Sequence, residues 1–194
     1  MPERALFLDK DGTLVENVPY NVDPEQIRLA AGALEGLQLL HAAGYRLFVV
    51  SNQSGVARGL FPERSLGAVE ARLRGLLGEA GLPLAGFYYC PHHPEGVVAS
   101  YALDCACRKP RPGMILQAGR EHGLDLTASW MVGDILDDIE AGRRAGCRTV
   151  LVDNGGETEW RMSPLRCPHL TVDTLHAAAR AILAGEAAGR RPAD

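Results

Sequence analysis

Asp9-Lys10-Asp11-Gly12-Thr13 is the segment best suited to do chemistry in this chain. Two carboxylates two residues apart on extended backbone point to the same side, and Gly12 lets the chain turn sharply after them. One carboxylate of such a pair can act as a nucleophile while the other handles a proton. The pair can also hold Mg²⁺, which takes a few hard oxygen ligands together with substrate phosphate. Ser51-Asn52-Gln53-Ser54-Gly55 offers small hydroxyl and amide groups beside a glycine, suited to wrapping a phosphoryl group. Arg108-Lys109-Pro110 sets a lysine, which can neutralise a transferring phosphoryl group, beside an arginine, which can clasp a second anion bidentately. Gly133-Asp134-Ile135-Leu136-Asp137-Asp138 supplies Asp134 as a cation-holding carboxylate that would face Asp9. Asp138, one helical turn further on, can order metal-bound water or Lys109, whereas Asp137 reads as a helix-start acid favoured by the macrodipole.

A fifth group has different chemistry. Cys90-Pro91-His92 and Cys105-Ala106-Cys107 bracket twelve residues. Three thiols and one imidazole make the composition of a closed structural Zn²⁺ site, and a metal bonded to both ends would tether a loop that has little core of its own. A Cys90–Cys107 disulfide or inert buried thiols are the competing readings, and His93 could stand in for His92. Cys147 and Cys167 have no neighbours in sequence and read as a core thiol and a surface thiol.

Elements must bring these segments together. Ala5–Leu8, Leu47–Val50, Phe87–Tyr89, Trp130–Val132 and Thr149–Val152 read as buried strands, short, apolar and bounded by polar residues or glycine. Helical patterns lie between them at Ala33–Ala43, Pro62–Ala80, Gly113–His122 and Asp137–Ala145, with Thr174–Leu183 as the last. The alternation predicts an α/β fold: a Rossmann-like, doubly wound parallel sheet with helices on both faces. Ligands bind such sheets beyond the carboxyl ends of the strands, where Asp9, Ser51, Cys90 and Asp134 fall. Asn17–Arg28 and Tyr88–Pro112 break the rhythm as long irregular segments, which in compact domains are usually functional. The expectation is a single domain over 1–184, with 185–194 as a frayed tail.

Bulk composition narrows the class. The 194 residues carry 20 Lys+Arg against 24 Asp+Glu, a net charge of −4, which gives no basic face for nucleic acid. No apolar run reaches the ~18 residues of a membrane span. The five cysteines are odd in number, and the opening MPERALFLDK lacks a basic-then-apolar leader, so a reducing cytoplasm is expected.

In the order DxDGT, Ser after the second strand, Lys, and GDxxxD, these segments resemble the haloacid dehalogenase superfamily of phosphatases. SNQSGVARG, CPHHPEG, CACRKPRPGM and VGDILDDIEAG are similar to its heptose-bisphosphate branch, with the zinc-loop histidinol phosphatases as nearest competitor. The resemblance implies a Mg²⁺-dependent phosphatase without a large cap domain. It makes Asp9 the nucleophile and Asp11 the general acid and then base, with Mg²⁺ on Asp9, the Asp11 backbone carbonyl and Asp134. Ser51 and Lys109 would steady the phosphoryl oxygens. Arg108, Asn17, Val18, Pro19, Tyr20, Asn52, Gln53 and Ser54 would meet the substrate, a small sugar bisphosphate. Cys90, His92, Cys105 and Cys107 would bind Zn²⁺. A monomer is expected, with no nucleic-acid or membrane partner. Ile135 departs from the branch, where that position often holds a polar or basic residue in reach of substrate.

Overall fold

The structure, a computed structural model, describes residues 3–189. Six parallel strands form one sheet: β1 Arg4–Leu8, β2 Tyr45–Asn52, β3 Leu84–Cys90, β4 Trp130–Gly133, β5 Arg148–Val152 and β6 Leu170–Val172. Their order across the sheet is β3-β2-β1-β4-β5-β6, so the direction of winding reverses at β1 and β4. Five helices connect them: α1 Ala33–Ala42, α2 Leu66–Gly78, α3 Gly113–His122, α4 Leu136–Arg144 and α5 Leu175–Gly189.

Alternation along each strand sends side chains to two separate cores. Leu6, Leu8, Leu47, Val49, Trp130 and Val132 face one layer, where they meet Leu37 and Leu40 of α1, Leu73 of α2 and Ile182 of α5. Ala5, Phe7, Phe48, Val50 and Met131 face the other, against Met114, Ile115 and Ala118 of α3 and Ala141 of α4. Fully buried strands need apolar residues at every position, which is why the sequence shows them as continuous apolar runs.

All five expected strands and five expected helices are present. β6 has no counterpart among the expected elements: two half-buried residues flanking an exposed threonine carry little pattern. The helix expected from Pro62 starts at Leu66, because a separate 3₁₀ turn, Glu63–Ser65, precedes it. Residues 185–189, expected as part of a tail, continue helix α5, whereas 190–194 lie outside the described residues. Among the described residues no second globular unit interrupts the sheet, and no helix is long and apolar enough to cross a membrane.

Candidate active site

Asp9 follows β1 directly, and its backbone N–H donates to Val132 O of β4 at 2.9 Å. The two central strands therefore deliver Asp9 and Asp134 side by side, at the reversal in strand order where open sheets bind ligands. The ammonium of Lys109, only 2% exposed, joins them. Its Nζ donates to Asp9 Oδ1 at 2.5 Å and to Val50 O at 2.9 Å, and it forms an ion pair with Asp138 Oδ1 at 2.6 Å. Burial alone would lower the Lys109 pKa; Asp138 and Asp9 outweigh it and hold the group charged. Asn52 fixes the lysine's backbone from both sides, accepting from Lys109 N–H at 3.0 Å and donating to Lys109 O at 3.1 Å.

Asp9, Asp134 and Asp138 bring carboxylate oxygens within 4.8 Å of one another. Burial first, then repulsion from Asp9 and Asp138, pushes Asp134 up to about 8. Three buried acids with one ammonium between them are short of positive charge, so the donor set fits a hard divalent cation. Asp138 spends its oxygens on Lys109 and on the Ile135 N–H at 3.3 Å, which leaves Asp9 and Asp134 with oxygens to offer. Glycines shape this cradle. A Cβ on Gly12 would stand 2.2 Å from Asp134 Oδ2, one on Gly156 2.1 Å from the same atom, and one on Gly133 2.2 Å from Asp138 Oδ2. Asn154 locks the two sides together by donating to Gly12 O at 2.6 Å and accepting from Gly156 N–H at 3.1 Å.

Asp11 is not a member of this cluster. Oδ1 meets the Lys10 ammonium, and Oδ2 accepts from Gln53 Nε2 at 3.2 Å. The same amide donates to the buried Ser51 Oγ at 2.8 Å. Burial, followed by repulsion from Asp9, raises the Asp11 pKa against the pull of Lys10. Asp11, Asn17, Tyr20, Asn52, Gln53 and Ser54 line one small cleft; Val18 and Pro19 belong to the same turn but not to its lining. Tyr20 holds φ 56°, a costly backbone for a ring-bearing residue.

Cys90, His92, Cys105 and Cys107 form a second cluster. Their sulfurs lie 3.1–3.4 Å apart, and His92 Nδ1 is 3.7 Å from Cys90 Sγ and 3.4 Å from Cys107 Sγ. Zn–S bonds of about 2.3 Å would set tetrahedral edges near ~3.8 Å, so the set is a slightly contracted zinc-sized tetrahedron. All five cysteines are free, with Cys147 buried and Cys167 exposed. Glu63 adds a second tie to this loop, one that no sequence motif signals. It accepts from Tyr101 OH at 2.6 Å and from Tyr89 OH, on β3, at 3.1 Å.

His93 does not join the metal cluster. Its Nδ1 accepts the Glu95 N–H at 3.1 Å, so in the neutral ring Nε2 carries the proton. Arg58 Nη2 nevertheless stands 3.1 Å from Nε2. Two donors face each other, and neither Arg58 nor Arg108 has a carboxylate partner among the described residues. Burial, then Arg108 and Arg58, lowers the His93 pKa. The three groups make a patch that lacks an anion.

Residues 106–178 match the HAD-hydrolase-like family model. A Pasteurella multocida protein named D-glycero-beta-D-manno-heptose-1,7-bisphosphate 7-phosphatase is 46% identical over 154 residues, covering 79% of this chain and 83% of that one. The chain belongs to the haloacid dehalogenase-like phosphatases. A Photorhabdus laumondii relative named for the alpha anomer is 37% identical, over 80% of this chain and 85% of its own length. Among solved structures, a HAD-like chain of Mesorhizobium loti superposes with a TM-score of 0.82 at 36% identity, covering 100% of this chain and 90% of that one. The D,D-heptose 1,7-bisphosphate phosphatase of B. bronchiseptica, complexed with magnesium and phosphate, gives 0.76 at 30% identity over 94% and 99%.

Proposed function

We propose that this phosphatase removes the 7-phosphate of D-glycero-D-manno-heptose 1,7-bisphosphate through an aspartyl phosphate on Asp9. The observation that carries the reading is the Lys109 ammonium held between Asp9 and Asp138 beside Asp134, in a chain 46% identical to a relative of that name. Asp9 attacks phosphorus and the bond to the sugar O7 breaks, while Asp11 gives its proton to that oxygen. In the second half Asp11 takes a proton from water, whose oxygen attacks the aspartyl phosphorus and frees inorganic phosphate. Lys109 and Ser51 receive the phosphoryl oxygens, and Asn52 keeps Lys109 in place rather than meeting substrate with its amide. Mg²⁺, bound by Asp9, Asp134 and the Asp11 carbonyl, would supply charge that offsets repulsion between nucleophile and phosphate dianion. Zn²⁺ on Cys90, His92, Cys105 and Cys107 would tie the loop that carries Arg108.

Arg58 and Arg108, which have no carboxylate partner among the described residues, and the His93 ring beside them suit the second phosphate. They would repel the ammonium of histidinol phosphate, which disfavours that substrate. The relatives named for the beta anomer reach higher identity than the one named for alpha, so we propose the beta anomer. Ile135 offers the substrate no charge at its own position. We further propose a cytoplasmic, single-domain monomer without nucleic-acid partners. A phosphate-release panel tests the reading, using both heptose 1,7-bisphosphate anomers, histidinol phosphate and a DNA 3′-phosphate. The beta bisphosphate should give the highest kcat/KM, and preference for histidinol phosphate would overturn the assignment.

A further inference from the structure

Lys10 lies between the two motif aspartates and is only 2% exposed, although lysine is among the residues least often buried. Its backbone is pinned, because Lys10 O accepts from both Leu14 N–H at 3.1 Å and Val15 N–H at 2.9 Å. Among the described residues its ammonium has one side-chain partner, Asp11 Oδ1. The other oxygen, Oδ2, is held by Gln53 Nε2 at 3.2 Å, and that amide also reaches Ser51 Oγ at 2.8 Å.

An ammonium donates and cannot accept. Both Asp11 oxygens face donors, but the charge-assisted bond from Lys10 holds Oδ1 more strongly than the neutral Gln53 amide holds Oδ2, so a proton on Asp11 favours Oδ2, the oxygen tied through Gln53 to Ser51. We infer that Lys10 is a positioning residue that reserves Asp11 Oδ2 as the oxygen that gives and takes the catalytic proton. The inference rests on the reading of Asp11 as proton carrier. In the first step the Oδ2–H bond breaks as the sugar oxygen gains the proton and leaves phosphorus. In the second, Oδ2 gains a proton from the attacking water.

A role in proton delivery predicts a dependence on the leaving group that a purely structural role does not. kcat/KM reports steps up to irreversible departure of the leaving group, so it isolates proton donation. A sugar alkoxide needs that proton, whereas nitrophenolate leaves without it. Lys10→Met keeps the stem and removes the donors. It should lower kcat/KM on heptose 1,7-bisphosphate at least about tenfold, within the range general acids contribute, and on p-nitrophenyl phosphate less than about threefold. Lys10→Arg, still a donor-only cation, should restore the sugar substrate. Melting curves check folding, and Lys10→Gln replaces Lys10→Met if the latter does not fold. Equal losses on both substrates would overturn the inference. Asp11→Asn is measured in parallel. If it shows the leaving-group dependence and the Lys10 variant does not, the inference about Lys10 alone fails. If Asp11→Asn itself shows none, the reading of Asp11 fails.

Discussion

Gly156→Ala separates metal binding from folding. A Cβ at this position would lie 2.1 Å from Asp134 Oδ2 and 2.9 Å from its Cγ. A carbon and an oxygen rest at about 3.3 Å or more, so the carboxylate has to retreat by about 1 Å. Mg²⁺ binds at 2.0–2.1 Å in a demanding octahedron, and a shift of that size removes Asp134 as a ligand. The expected result is a rise of about 10- to 100-fold in the Mg²⁺ concentration for half-maximal activity, the range for disturbed ligand support. Gly156 has no left-handed backbone, so alanine adds no backbone strain there and acts through its contact with Asp134. Its neighbour Gly155 supplies the control: φ is +89°, and a Cβ added there would meet no atom within 4 Å. Gly155→Ala should cost roughly 1–2 kcal/mol of stability through its backbone and leave the Mg²⁺ dependence unchanged. The assays are Mg²⁺ titration of phosphate release and thermal melting in chelator. An unaltered Mg²⁺ dependence in folded Gly156→Ala would refute the assignment of Asp134 to the cation.

Further outcomes are expected. Elemental analysis of the purified protein should find about one zinc per chain, with Cys105→Ser losing it along with activity; a zinc-free, fully active protein contradicts the tether. Arg58→Ala and Arg108→Ala should each lower kcat/KM about tenfold or more on the bisphosphate and much less on a monophosphate, because a charge-assisted bond is worth roughly 1.5–3 kcal/mol. Asn52→Ala leaves the Lys109 N–H and C=O without their side-chain partner and should reduce kcat more than it raises KM; a change in KM alone would mark a substrate contact instead. Glu140 is raised by burial, but bonds from Arg166 and Arg144 more than compensate, so its net pKa is lowered. Its stabilising contribution is present above its unfolded value and is lost as pH falls through the folded one. Glu140→Gln should flatten that part of the acid limb in melting temperature.

Strand positions and the order of the chemical segments could be read from sequence because fully buried parallel strands and glycine-bounded motifs leave strong local patterns. Cys90, His92, Cys105 and Cys107 were legible by ligand type, and the structure brings the four together with their thiols free. Three-dimensional partnerships were harder. Nothing in the spacing of Asn52 reveals that its amide holds the Lys109 backbone, fifty-seven residues away. Asp138 could be linked to Lys109 only as one of two options, because the burial that forces their pairing belongs to the folded sheet edge. Lys10 carried no reading of its own, since local sequence does not report that its side chain is buried. Gly12 and Gly133 lie inside legible motifs whereas Gly156 does not, and which atoms all three admit depends on segments far apart in the chain. β6 escaped notice because three residues cannot establish a period.

The central claim is that Asp9 takes the phosphoryl group. Rapid acid quenching during turnover of heptose 1,7-bisphosphate, followed by borohydride reduction and peptide mass spectrometry, tests it directly. The prediction is homoserine at position 9, dependent on substrate and absent in Asp9→Asn. Phosphate release with an unmodified Asp9, or homoserine at a different aspartate, would contradict it.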